Sequence, residues 1–193
     1  MKQVLVIYAT RTGHTGRIAE HIADRLRADG LSVELTDAAH LPAELSLDNY
    51  SAVIAAASVR LGKHESEMIR FAQRNATGLN RLPSAFISVS LSEAGVEDLA
   101  AAAERRAQAS ADVERMIDKF VQQTGWHPQR VKAVAGALSY TRYNSLVRFA
   151  MKRIAAKAGA STDASKDHSY TDWNALDSFV DELARTAVAA VSA

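Results

Sequence analysis

The chain of 193 residues contains no cysteine. Disulfides, thiolate catalysis and cysteine-ligated metals or iron–sulfur clusters are thereby excluded, and a cytoplasmic setting is expected. No run of 18 uncharged apolar residues occurs, so no membrane-spanning helix is expected. The first residues enter an apolar run at Val4, so no signal peptide is expected. G-x-G-x-x-G and G-x-x-x-x-G-K-[ST] are both absent, which removes the dinucleotide fingerprint and the Walker loop. No H-E-x-x-H spacing links the histidines and no metal site is expected; His21, His40, His64, His127 and His168 read as structural. There is no G-x-S-x-G and no triad. The formal net charge of +1 hides an uneven distribution. From Lys119 to Thr162 there is no acidic residue but eight Lys or Arg, whereas Ser92 to Asp118 carries seven acids and three bases. No nucleic-acid partner is expected. The length suits one α/β domain with a substantial core.

What is present begins with residues 3–16, Q-V-L-V-I-Y-A-T-R-T-G-H-T-G. Val4 to Tyr8 read as a buried strand. Thr10, Arg11, Thr12, Gly13, His14 and Thr15 then crowd hydroxyls and a glycine into a turn, after which Ile18, Ile22 and Leu26 recur at helical spacing. A helix N-terminus offers unpaired N–H groups and a partial positive charge, and threonine hydroxyls add donors. Gly13 lets the backbone close around a phosphate. The loop suits a phosphate monoester held without a metal. A capped helix with no ligand is the alternative reading.

Further along, Ala28-Asp29-Gly30 stops the first helix, with Gly30 past its end. Strands are expected over 31–36, 50–57, 84–90 and 131–138, and helices over 64–75, 95–124 (with a break), 144–157 and 172–190, the last capped by Thr171. Residues 37–47 read as a loop with a helical turn, 58–62 as a loop and 161–169 as a polar loop. Both tryptophans read as packing anchors. Strands alternating with helices imply a parallel sheet covered on both faces, with a ligand outside the carboxyl ends of the strands. Three loops meet there: 10–15, 58–62 and 88–95. A single domain over 1–193 is expected, with an insertion over 139–169.

The T-x-T-G-x-T loop after the first strand resembles the FMN phosphate loop of flavodoxins. That resemblance implies a flavodoxin-like three-layer α/β sandwich with a five-stranded parallel sheet in the order 2-1-3-4-5. It also implies FMN held by Thr10, Arg11, Thr12, Gly13, His14 and Thr15 at the phosphate. Ser58, Val59, Arg60, Leu61 and Gly62 on one side, and Ser88, Val89, Ser90 and Leu91 on the other, flank the ring. Neither flanking loop carries an aromatic residue, which points to a ring less tightly stacked or more open to a large substrate.

S-V-R-L-G (58–62), L-P-S-A-F (82–86), W-H-P-Q-R (126–130), A-G-A-L-S-Y-T-R-Y (135–143) and Y-T-D-W (170–173) stand in one order along the chain. Together they resemble the flavodoxin-type, quinone-dependent (menaquinone) protoporphyrinogen oxidases of bacteria, outside residues 92–120. The resemblance implies oxidation of protoporphyrinogen IX, or another reduced small molecule, with electrons passed to a membrane quinone. It names no catalytic acid or base. Arg60, Arg142 and Lys152 are cations suited to porphyrin propionates. The helix 144–157 sets Leu146, Val147, Ala150, Met151 and Ile154 beside Arg148, Lys152 and Arg153, a pattern for peripheral contact with an anionic membrane or for simple core packing. A soluble electron carrier and a non-enzymatic flavodoxin-like module are the competing readings. The near-neutral charge disfavours the carrier.

Overall fold

The computed structural model describes residues 3–42, 45–138, 140–142, 149, 152, 155–156 and 161–191. Each main strand is a short, β-branched or alanine-rich run, and each helix carries an apolar stripe. The first strand β1 (Gln3–Ala9) leads into α1 (His14–Ala28), then β2 (Val33–Asp37). Two 3-10 turns, Ala38–His40 and Leu47–Asn49, precede β3 (Tyr50–Arg60). A two-residue strand β4 (Lys63–His64), α2 (Ser66–Leu79) and β5 (Ser84–Ser90) follow. Then come α3 (Leu91–Glu97), α4 (Ala103–Thr124), β6 (Arg130–Ala135), β7 (Ala137–Leu138), β8 (His168–Ser169) and α5 (Trp173–Val191).

The sheet runs β2-β1-β3-β5-β6, every neighbour in it parallel. This is the expected order once β4, which pairs antiparallel with the end of β3, is set aside. Strand periodicity sorts the core into two layers. Val4, Val6, Ile54, Ile87 and Val134 point to one face, against Ile18, Ile22 and Leu26 of α1 and Leu176 and Val180 of α5. Leu5, Ile7, Val53 and Phe86 point to the other, against Phe71 and Leu79 of α2, Phe120 of α4 and Trp126. Phe86 and Phe120 stack at 4.1 Å, and Trp126 closes that layer edge-on to both. Each fully buried aliphatic side chain contributes roughly 1.5–3 kcal/mol.

Several boundaries depart from expectation. Residues 58–62 are not a loop. β3 runs on to Arg60, and Leu61 and Gly62 form a tight turn into β4, with Arg60 opposite Lys63. Both turn residues have positive φ, 50° and 71°. That is the backbone of a two-residue hairpin turn whose twist matches its strands. Accordingly α2 starts at Ser66, two residues later than expected, and extends to Leu79. The 88–95 loop is also absent: β5 reaches Ser90, whose hydroxyl accepts from Glu93 N and caps α3. The break in the long helical region falls between α3 and α4. The expected strand 131–138 is interrupted at Gly136, whose N–H donates to Ser90 O while its carbonyl accepts from Tyr170 N. Beyond it, β7 pairs with β8 in a separate ribbon. The last helix is capped by Asp172, which accepts from Ala175 N, and not by Thr171. Of the expected helix 144–157, only Phe149, Lys152, Ala155 and Ala156 lie within the described residues; Ala155 packs on Leu138 and Tyr140.

Candidate functional site

The carboxyl ends of β1, β3 and β5 carry the residues singled out above. After β1, Gly13 adopts φ 90°, a left-handed conformation that glycine reaches without strain. Its N–H donates to Thr10 Oγ1 at 3.0 Å, and its carbonyl accepts the first intrahelical bond, from Arg17 N. No side chain caps α1. The amides of His14, Thr15 and Gly16 precede that first bond and have no acceptor within the helix. They sit at the positive end of a helix of 15 residues. Thr10, Thr12 and Gly13 are half-buried, Thr15 is buried, and Arg11 is exposed. This donor set fits a phosphate dianion.

The loop is pinned from both flanks. On the α2 side, Arg11 Nη2 donates to Glu65 Oε2 at 2.6 Å. The Glu65 side chain is only 4% exposed, against 54% for Arg11. Glu65 Oε1 also accepts from Ser58 Oγ at 3.2 Å, and Glu65 N donates to Ser58 O. One carboxylate thus joins the 10–15 loop to the base of the β3–β4 hairpin. The same bond to Glu65 raises the Arg11 pKa above its ordinary range. On the α5 side, the His14 ring, 5% exposed, lies 2.8 Å from Thr171 Oγ1 and 3.0 Å from Arg17 Nη2, with Trp173 at its edge. Burial, with Arg17 adding to it, pushes its pKa down to about 4. The ring is therefore neutral at physiological pH, and it is turned to Thr171.

At the hairpin, Ser58 and Val59 are half-buried, and Arg60, Leu61 and Gly62 project into solvent, Leu61 at 82% exposure. Leucine in the left-handed region carries a backbone cost of roughly 1–2 kcal/mol. The register pairs Val59 with His64 and Arg60 with Lys63 hold it there. His64 anchors the hairpin from below. It is buried, bonded to Ser88 Oγ at 2.9 Å, and edge-on to Phe86 and Phe120 at 5.1 Å each. Burial lowers its pKa to about 4.

The third group is less accessible than the sequence implied. The Ser88 side chain is fully buried and taken up by His64, Val89 packs in the α1–α5 layer, and Ser90 caps α3. Only Leu91 is part-exposed. Lys152 is exposed; the side chain of Arg142 and all of Arg148 and Arg153 lie outside the described residues. Among the described residues no group of three or more His, Asp or Glu could hold a metal ion. None of the described helices is long and apolar enough to cross a membrane. A cavity of about 270 Å³ lies at the opposite end of the sheet, lined by Val4, Ala52, Pro83, Arg130 and Leu183 among others, away from these loops. Sequence reasoning missed Glu65 and the roles of Thr171 and His64. For Glu65, an acid directly after the Arg60–Lys63 stretch and at the start of a helical pattern was the available signal.

The comparisons agree with this geometry. A flavodoxin-domain family model matches residues 5–165. The protoporphyrinogen IX dehydrogenase [quinone] of Escherichia coli K12 is 35% identical over 94% of both chains. One of that name from Leishmania major is 34% identical over 93% of this chain and 74% of its own. Among solved structures, the Streptococcus pneumoniae TIGR4 flavodoxin aligns over 95% of this chain and 99% of its own, with a TM-score of 0.51 at 19% identity. A short-chain flavodoxin associated with a PDU bacterial microcompartment aligns over 97% and 99%, with a TM-score of 0.51 at 15% identity. The sheet order, the uncapped glycine-led α1 and these matches lead to one assignment: the chain belongs to the flavodoxin-domain family and, within it, to the group of the protoporphyrinogen IX dehydrogenases.

Proposed function

We propose that the chain is an FMN-dependent oxidoreductase that oxidises protoporphyrinogen IX to protoporphyrin IX and delivers the electrons to a membrane quinone. The observation that carries this reading is the likeness to the E. coli enzyme across 94% of both chains. Bound FMN would supply the two-electron redox chemistry. The chain supplies the rest. The Gly13 turn and the amides that open α1 hold the phosphate, with Thr10, Thr12 and Thr15 as hydroxyl donors. The β3–β4 hairpin supports the ring. Its tip, Leu61-Gly62, has no aromatic to cover the flavin, which leaves a face open to a broad, flat macrocycle. Arg60 and Lys152, both exposed, are cations suited to the propionates, and Arg142, Arg148 and Arg153 extend that set in the sequence.

Contact with an anionic membrane surface is part of the same reading. Phe149 and Lys152 are both exposed, on the segment that carries the acid-free run of the sequence. The test is a steady-state assay of porphyrin fluorescence with protoporphyrinogen IX and a menaquinone analogue, alongside mass spectrometry of the released cofactor. Quinone-dependent porphyrin formation with stoichiometric FMN is expected. Stoichiometric FAD, or a flavin that the substrate cannot reduce, would overturn it.

A further inference from the structure

The segment between β6 and α5 leaves the sheet at Ala135 and returns at Thr171, with the β7–β8 ribbon between. Its two ends are tied together. Tyr170 N donates to Gly136 O at 3.1 Å, and the Thr171 hydroxyl donates to Ala135 O at 2.7 Å. Threonine has one hydroxyl proton, and the carbonyl of Ala135 can only accept. The contact between Thr171 Oγ1 and His14 Nε2 must therefore be donated by the imidazole. With its proton on Nε2, the neutral ring has a bare Nδ1, which accepts from Arg17 Nη2. The hydrogen bonds then run in one direction, from Arg17 through His14 and Thr171 to the Ala135 carbonyl. Around the ring, α1 presents the Arg17 guanidinium, and the start of α5 presents the Thr171 hydroxyl and the Trp173 ring. His14 is also the first residue of α1, directly after Gly13. Its backbone belongs to the loop, and its side chain belongs to the base of the ribbon.

We infer that His14 is a positioning residue that couples occupancy of the 10–15 loop to the docking of the β7–β8 ribbon, acting through the Thr171 hydroxyl. The inference rests on the reading of that loop as the FMN phosphate site. A ligand that fixes the His14 backbone fixes where its ring meets Thr171. By linkage, a docked ribbon strengthens the ligand by the same factor. The ribbon follows directly on β6, so the coupling ties cofactor loading to the part of the chain next to the β6 end of the sheet.

The test uses full-length apoprotein in four forms: wild type, His14→Leu, His14→Gln and Thr171→Val. Imidazole nitrogen shifts of the wild type, recorded without flavin, are expected to show the Nε2–H tautomer of His14; an Nδ1–H tautomer overturns the relay. FMN titration by fluorescence quenching is expected to show about ten-fold weaker binding in His14→Leu and Thr171→Val. His14→Gln offers a donor and an acceptor on one amide and should retain wild-type affinity. Exchange of the Tyr170 amide is expected to slow on FMN binding in wild type and His14→Gln but not in the other two. Wild-type affinity together with wild-type protection in His14→Leu overturns the inference while leaving the phosphate site intact. Wild type that binds no FMN overturns the phosphate reading itself. If His14→Leu does not fold, Thr171→Val and the tautomer decide in its place.

Discussion

Replacing Arg11 by Met removes the charged partner of a carboxylate that has almost no access to water. Glu65 is 4% exposed, and its Oε2 receives Arg11 at 2.6 Å. Breaking a fully buried pair by deleting one member costs about 3–5 kcal/mol. Here the guanidinium is half in solvent, and Ser58 Oγ still donates to the other oxygen at 3.2 Å. The loss is then nearer that of a single charged hydrogen bond, roughly 1.5–3 kcal/mol. Arg11→Met should accordingly lower the unfolding free energy by about 2 kcal/mol in urea titrations. Glu65→Gln in the same chain removes the stranded charge and should recover more than half of that loss, which a double-mutant cycle reads as coupling. The apoprotein should also bind FMN more weakly in Arg11→Met, because the loop loses its tie to the hairpin. A single variant within about 0.5 kcal/mol of wild type, the range of ordinary surface changes, would refute the latch.

Acid should weaken the fold through His14 and His64. Each is held at about 4 by burial, against 6.5 when unfolded, so the unfolded chain takes up the protons first and stability falls as pH drops from 6.5 to 4. At pH 5 the cost is about 2 kcal/mol per histidine, and urea midpoints of His64→Gln against wild type should show a shallower slope over that window. Leu61→Asn places a residue tolerant of positive φ at the hairpin tip and should stabilise by about 0.5–1 kcal/mol in the same titration; no gain would mean that φ 50° carries no strain. Thr12→Val with Thr15→Val should weaken FMN binding by roughly 1.5–3 kcal/mol per lost charge-assisted bond, and unchanged affinity would remove this loop as the phosphate site. Co-sedimentation with anionic vesicles should fall with salt and with Lys152→Gln, by on the order of 1 kcal/mol per cation; indifference to anionic vesicles at low salt would remove the membrane contact.

The first strand, its loop and α1 were readable because their signals are local. The apolar run of Val4 to Tyr8, a glycine free to take φ 90° and an Ile18-Ile22-Leu26 stripe need no distant partner. Sheet order came from resemblance, and the long strands obeyed it. What escaped depends on contacts far apart in sequence. Leu61-Gly62 lacks the asparagine that usually announces such a turn, and β4 is only two residues long. The run V-K-A-V-A-G-A-L looks continuous, yet Gly136 turns out of the sheet because Ser90 and Tyr170 claim its polar groups. Thr171 and Asp172 are both caps by type, Asp the better one; Asp172 takes the role while the Thr171 hydroxyl is held by Ala135. His14 was legible only as a member of the 10–15 loop, since Thr171 lies 157 positions away. Ser88 looked available at a strand end, and only the fold shows His64 beneath it.

Anaerobic mixing of the flavin-loaded protein with protoporphyrinogen IX, followed by a menaquinone analogue, bears most directly on the proposed reaction. The flavin absorbance should bleach as porphyrin fluorescence rises, and the quinone should restore it. A flavin that stays oxidised under excess protoporphyrinogen, yet is bleached by dithionite, would contradict the proposed reaction and leave a flavodoxin-type carrier in its place.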